Sequence, residues 1–229
     1  MPTQSPAVDD VQGWNDAFAL QHDIDDYYAR SSFLIRWIEQ RRLECIRRMV
    51  EPASTDRILE VGCGGGHVLR LFPEADLTGI DVSGEMLKKA RCNLRGYRVR
   101  LLHGDACEAD LPQGGFDKAI CTEVLEHVLH PEAILEMIRR AVRPGGRVVV
   151  TFPNDVLVNQ LKTVIRRSGA RLLPPLRRVS WGGDDYHLHV WRIPEMRALL
   201  SQHLTISRES FVPTRFLPIR CCFQCVRPA

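Results

Sequence analysis

With 229 residues, 45% of them hydrophobic and 26% charged, the chain has the makeup of one α/β domain of ordinary size that buries a core and stays soluble. Its formal net charge of +3 is too mild to demand nucleic acid as a partner. No apolar run is long enough to span a bilayer, and Met1-Pro2-Thr3-Gln4-Ser5-Pro6 lacks the charged start and apolar core of a signal peptide, so the expected compartment is the cytoplasm and the eight cysteines read as reduced thiols.

Residues 1–13 are polar and contain proline, as a weakly held terminus does. Trp14, Phe18, Tyr27 and Tyr28 follow among acids. From Ser31 to Val50 the spacing of Ile35, Ile38, Cys45, Ile46 and Met49 predicts a helix, closed by Pro52. The arginines between them (Arg36, Arg41, Arg42, Arg47, Arg48) read as a solvated face.

Arg57–Val61 reads as the first strand. It stops in the glycine cluster Gly62-Cys63-Gly64-Gly65-Gly66-His67, and Val68-Leu69-Arg70-Leu71-Phe72 then reads as the start of a helix. Glycine tolerates positive φ and lets a ligand approach the backbone. A helix start suits a carboxylate or phosphate. The stretch therefore predicts a partly anionic small ligand over the end of a strand. A dinucleotide turn needs glycine at the sixth position of its pattern, and His67 stands there.

Residues 76–81 read as a second strand ending in Asp81, with Ser83 capping a helix to about Leu94. Arg98–His103 and Phe116–Cys121 read as the third and fourth strands. A turn and short helix are expected over 122–130, and a longer helix from Pro131 to Val142. Arg143-Pro144-Gly145-Gly146 should break the chain before a Val-rich fifth strand over 147–152. Strands alternating with helices over 57–152 predict a parallel sheet with helices on both faces, its ligand beyond the carboxyl ends of the strands. Asp81 there can accept both hydroxyls of a ribose, and Asp105 can accept from an adenine amino group.

Residues 156–180 mix an apolar helical pattern (Leu157, Val158, Leu161, Val164, Ile165) with Lys162, Arg166, Arg167, Arg171, Arg177 and Arg178 and hold no acid. That composition suits a substrate-covering lid, the surface of an anionic membrane or RNA phosphate. The lack of aromatic–basic interleaving argues against RNA. A last helix over 194–203 precedes two strands, 204–211 and 219–226, joined through Pro213 and Pro218. In the last strand Cys221 and Cys225 share a face, Cys222 takes the other, and no partner pair for a zinc knuckle is evident.

The sequence resembles the class I S-adenosylmethionine-dependent methyltransferases. The residues that carry the resemblance are Glu60-Val61-Gly62-Cys63-Gly64-Gly65-Gly66, Gly79-Ile80-Asp81, Gly104-Asp105-Ala106, and Leu125-Glu126-His127-Val128 followed by Arg143-Pro144-Gly145-Gly146. The resemblance implies a Rossmann-like, seven-stranded, mostly parallel sheet with helices on both faces and the last strand antiparallel. It implies a helical cap over 1–50 and a methyltransferase domain over 51–229 with a basic lid-like insertion over 154–192. It places Gly62, Gly64 and Gly66 at the amino-acid end of S-adenosylmethionine, Asp81 at the ribose, Asp105 at the adenine and Thr122 near the methionine moiety. Tyr27, Tyr28 and Arg30 would approach from the cap.

Glu123, Glu126, His127 and His130 stand at i, i+3, i+4 and i+7, so one helix would put them on one face. His127 and Glu123 are the candidates for acid–base catalysis. Glu-x-x-Glu-His is similar to the pattern in the O-methyltransferases of ubiquinone biosynthesis and in the small-RNA terminal 2′-O-methyltransferases. That likeness implies a divalent metal such as Mg on Glu123, Glu126 and His127, with His187 of Tyr186-His187-Leu188-His189 as a fourth ligand. Without a metal, His127 would line the acceptor pocket, or all four residues would be structural. The expected acceptor is a small molecule or a lipid-linked compound, methylated on oxygen, with peripheral membrane contact through 156–178. N-methylation and methylation of an RNA end are the alternatives. A nicotinamide-dependent oxidoreductase and a non-catalytic cofactor-binding protein are the rival classes.

Overall fold

The computed structural model describes residues 32–168 and 187–229. Tyr27, Tyr28, Arg30, Trp181 and the arginines at 171, 177 and 178 lie outside the described residues. Helix α1 (Phe33–Val50) is followed by β1 (Arg57–Val61), a 3-10 turn (Leu69–Leu71), β2 (Asp76–Asp81), α2 (Gly84–Asn93), β3 (Val99–His103) and β4 (Phe116–Thr122). Then come α3 (Pro131–Ala141), β5 (Val142–Pro153), α4 (Asp155–Arg167), α5 (Ile193–His203), β6 (Thr205–Thr214) and β7 (Leu217–Val226). The seven strands form one sheet in the order β3-β2-β1-β4-β5-β7-β6. All neighbours are parallel except β7, which runs antiparallel to β5 and to β6. The strand order reverses between β1 and β4, and that is where such sheets open a crevice for a ligand.

Each central strand is buried on both faces. Leu59 and Val61 of β1, with Val148 and Val150 of β5, face a core closed by Ile134, Leu135 and Ile138 of α3 and by Met196 and Leu200 of α5. Ile58 and Val149 face the opposite core, under Ile46 and Met49 of α1 and Leu87 and Ala90 of α2. The continuous apolar runs of β1 and β5 follow from this double burial. The same alternation sends Cys221 and Cys225 into the first core and Cys222 into the second.

Helix α1 begins where Ser32 accepts from the Ile35 N–H (3.4 Å) and is pinned to the sheet at its end. Three successive carbonyls there have no helical donor. Met49 O accepts from Gln224 Nε2 (2.6 Å), Val50 O from Arg147 (3.2 Å) and Glu51 O from the Lys118 ammonium. These donors come from β7, β5 and β4, so the end of α1 is fastened to the sheet. Arg36, Arg41, Arg47 and Arg48 are exposed, as a solvated face should be. Arg42 departs from that expectation. It shares the stripe of Ile38, Ile46 and Met49, is buried, and donates to buried Glu39 at 2.8 Å.

Two local expectations need correcting. The helix predicted after the glycine cluster is only the 3-10 turn Leu69–Leu71. Pro73 disfavours helical geometry at Phe72, and β2 starts at Asp76, so there is no room for an α-helix. Arg143-Pro144-Gly145-Gly146 does not break the chain before β5 but lies within it as a bulge. The register slips between Phe116↔Val142 and Lys118↔Arg147, and Gly145, at φ 72, donates to Arg227 O (3.0 Å). At the other end of the chain, β6 and β7 run on through Pro213 and Pro218, which pair across the hairpin.

Candidate functional site

The carboxyl ends of β1, β2 and β4 converge with the loops that follow them. Gly62, Gly64 and Gly66 all hold positive φ (69, 49 and 78°). At Gly62 a Cβ would come within 2.4 Å of the Val124 side chain, and at Gly66 within 2.7 Å of Leu94. Gly62 thus allows the loop after β4 to pack directly on the loop after β1. Asp81 ties the crevice together. Its Oδ2 accepts from Gly64 N–H (2.7 Å), its Oδ1 from Ser83 N–H (2.9 Å), and its carbonyl from Gly104 N–H (3.1 Å). Asp105 is exposed beside it, with Oδ1 accepting from Cys107 N–H (2.8 Å).

Thr122 ends β4 and is buried, its hydroxyl donating to Glu60 Oε1 at 3.5 Å. Glu60 itself is 1% exposed, and its Oε2 has no hydrogen-bond partner among the described residues. Burial pushes its carboxyl well above the usual range, against the pull of the Arg42 guanidinium.

Residues 123–130 do not form the expected helix, and Glu123, Glu126, His127 and His130 do not share a helical face. Glu123 is left-handed at φ 55, which stops a helix at its first residue. The carbonyls a helix would use internally are taken from outside. Glu126 O accepts from Leu188 N–H (2.8 Å) and His189 N–H (3.1 Å). Leu125 O accepts from the Trp191 indole (3.4 Å), and Val128 O pairs with His189 Nε2 (3.0 Å). Residues 187–191 therefore strap the loop after β4.

The strap brings His187 to Glu126 and His127. One donor atom from each of the three lies within 4.8 Å of the others, and the two imidazoles meet edge-on at 4.8 Å between centroids. His187 Nδ1 is held at 2.7 Å by buried Asp155 Oδ2. Glu123 is not part of this group. Its Oε1 accepts from the Thr151 hydroxyl (2.9 Å), and Oε2 lies 3.3 Å from Arg220 Nε. His130 is exposed and faces Glu132 at 3.4 Å. Asp155 and Arg220 escaped the sequence reading. Asp155 carried one signal, a carboxylate two residues past the end of β5; Arg220 carried none.

Glu126 is 1% exposed, and neither carboxylate oxygen accepts a hydrogen bond from another described residue. Burial, then the charge of Glu123, pushes its carboxyl well above the usual range. A carboxyl raised in the fold contributes fully below its unfolded value, near 4.5, and that stability is lost as pH rises toward the folded value. Glu126→Gln should therefore gain about 1–3 kcal/mol over the parent at about pH 8 and little at about pH 5, as read from urea unfolding. Equal pH dependence in the two proteins would show that Glu126 is not a strained buried acid.

The donor set of one buried carboxylate and two imidazoles fits zinc, manganese or iron(II) better than magnesium, which prefers an oxygen shell. Leu129, Leu188 and Val190 stand exposed in and beside the strapped loop. A shallow cavity of about 540 Å³ lies at the opposite edge of the sheet, lined by Arg57, Asp76, Arg98 and Phe116 at the amino ends of the strands, and has no part in this site.

Residues 59–150 match the family model of the methyltransferase domain. A ubiquinone biosynthesis O-methyltransferase of Xylella fastidiosa is 35% identical over 144 residues, covering 58% of this chain and 56% of that protein. An uncharacterised methyltransferase of Mycobacterium tuberculosis is 30% identical over 130 residues, 55% of this chain and 65% of its own length. The chain thus spans between about half and two thirds of the curated relatives it matches. N-methyltransferase NodS of Bradyrhizobium japonicum with S-adenosyl-L-homocysteine has the same fold, with a TM-score of 0.62 at 18% identity over 84% of this chain and 88% of that one. Phosphoethanolamine N-methyltransferase 2 of Haemonchus contortus with S-adenosyl-L-methionine shares it too, with a TM-score of 0.61 at 18% identity over 83% of this chain and 53% of that one. Residues 59–150 are thus a methyltransferase domain, set in a seven-stranded sheet with the same fold as these methyltransferase structures.

Proposed function

We propose that the protein transfers a methyl group from S-adenosylmethionine to a hydroxyl oxygen of a small apolar or lipid-linked acceptor. The observation that supports this reading is the close packing on Gly62 of Val124, which stands three residues before His127 in the loop after β4. When bound, S-adenosylmethionine supplies a methyl on a positively charged sulfur that leaves as a neutral thioether. The protein's tasks are to hold both reactants in line and to remove the hydroxyl proton. Gly62, Gly64, Gly66, Asp81, Asp105 and Thr122 do the first. His127 does the second, taking the proton on a ring nitrogen as the oxygen–carbon bond forms. Exposed Leu129, Leu188 and Val190 suit an apolar acceptor at the rim. The name of the Xylella relative supports oxygen as the target.

A radiolabelled methyl-transfer assay over catechols, phenols, quinols, amines and lipid extracts tests the reading. Product on oxygen supports it. Product on nitrogen alone overturns the oxygen target, and no product on any class favours a binding protein.

A second reading rests on the carboxylate of Glu126, which has no hydrogen-bond partner among the described residues. A divalent cation held by Glu126, His127 and His187 would supply Lewis acidity toward the acceptor hydroxyl. In that case zinc or manganese should raise the melting temperature of the parent and of Glu123→Gln, but not of Glu126→Gln. No shift in the parent removes the cation.

Peripheral membrane contact through 156–178 is proposed on α4 alone. Val164 is exposed and Val156, Leu157, Val158 and Leu161 are only half-buried, beside Lys162. No helix among the described residues is long and apolar enough to cross a membrane.

A further inference from the structure

We propose that Cys45 and Cys222 form a peroxide-responsive dithiol at the joint between α1 and the sheet. Cys45 lies on the inward stripe of α1 between Arg42 and Met49. It lines one cavity with Ser210 of β6, Ser210 is the cross-strand partner of Cys222 on β7, and Cys45 and Cys222 are buried in the same core as free thiols. That cavity, of about 170 Å³, is walled also by Arg41, Arg48, Arg208 and Pro213. A small oxidant therefore has a route to Cys45, whereas Cys222 is fully buried behind it.

The electrostatics separate the two thiols. Interaction with Cys222, then with Ser210 and the guanidinium charges of Arg48 and Arg208, lowers the Cys45 thiol to about 6. The same contact, with burial, pushes Cys222 well up. Cys45 is thus the nucleophile, and Cys222 the proton-bearing partner. No other buried cysteine has this setting. Burial pushes Cys221 and Cys225 up to about 12, and Cys63 and Cys121 higher still.

The oxidant is a hydroperoxide, hydrogen peroxide being the simplest. The Cys45 thiolate attacks one peroxide oxygen and the O–O bond breaks. This leaves a sulfenic acid on Cys45 and an oxide that takes a proton. Cys222 then gives up its proton and attacks the Cys45 sulfur. The S–O bond breaks, and hydroxide leaves with that proton as water. Two thiols have lost two electrons in all, and one peroxide has gained them. The product ties α1 to β7 across most of the chain and locks the helix that carries Glu39 and Arg42.

The test uses the full chain with Cys92→Ser and Cys107→Ser, because those two cysteines are exposed. After hydrogen peroxide the intact mass should fall by two hydrogen atoms, and peptide mapping should find Cys45 joined to Cys222. Closing so long a loop should raise the melting temperature by about 5–10 °C, reversed by reductant. In Cys222→Ser, dimedone should trap a sulfenic acid on Cys45; in Cys45→Ser, Cys222 should stay unmodified. A cross-link between other cysteines, or a Cys45 that stays reduced, overturns the proposal. If either variant fails to fold, the mapped cross-link in the parent decides.

Discussion

Replacing Asp81 with alanine lowers the affinity for S-adenosylhomocysteine by about 30- to 1,000-fold, or about 2–4 kcal/mol. Two losses combine. The first is the pair of charge-assisted hydrogen bonds that an ionised carboxylate makes to ribose hydroxyls. The second is internal: without the carboxylate, the Gly64 and Ser83 N–H groups lose the acceptors that hold them at 2.7 and 2.9 Å. Asp81→Asn separates the two, because an amide keeps one oxygen for the backbone and loses the charge. It should fall between alanine and the parent in calorimetric affinity. An alanine variant with unchanged affinity would mean that the ribose lies elsewhere.

The second large effect belongs to His127. His127→Ala should lower the rate of methyl transfer by about 10²- to 10⁴-fold while leaving cofactor affinity nearly unchanged. The separation follows from the layout. In the proposed reading Asp81 and the glycine loop hold the cofactor, whereas His127 gathers with Glu126 and His187. A base acting in the transition state moves kcat more than the acceptor KM. Equal losses in cofactor affinity and rate would make His127 a structural residue of the loop. Glu123→Gln provides a contrast. Its carboxylate is engaged by Thr151 and Arg220, so its loss should act on stability before chemistry.

The legibility of this chain followed the range of the interactions. Local signals placed β1 to β5, the Ser83 cap of α2, Pro131 at the start of α3 and the opposite faces of Cys221 and Cys222. The glycine cluster was legible too, because positive φ at Gly62, Gly64 and Gly66 is a backbone demand that few other residues meet. Its shape was not. The helix expected after it is a 3-10 turn, set by Pro73 and the early start of β2.

The loop over 123–130 failed for a different reason. Its residues have helical spacing, but Leu125, Glu126 and Val128 give their carbonyls to residues 188–191, some sixty positions downstream. No local pattern encodes that competition. The same strap brought His187 to Glu126 and His127, while Glu123 turned toward Arg220. Arg42 shows the converse case. Its charge suggested solvent, and its position on the stripe of Ile38 and Met49 buried it against Glu39.

The central claim is that the crevice over β1 and β2 binds a sulfonium nucleoside and no dinucleotide. Calorimetric titration of the full chain with S-adenosylhomocysteine, and separately with NAD, tests it most directly. The account predicts saturable micromolar binding of S-adenosylhomocysteine, weakened in Asp81→Ala, and no heat with NAD. Micromolar binding of NAD with none of S-adenosylhomocysteine would contradict it.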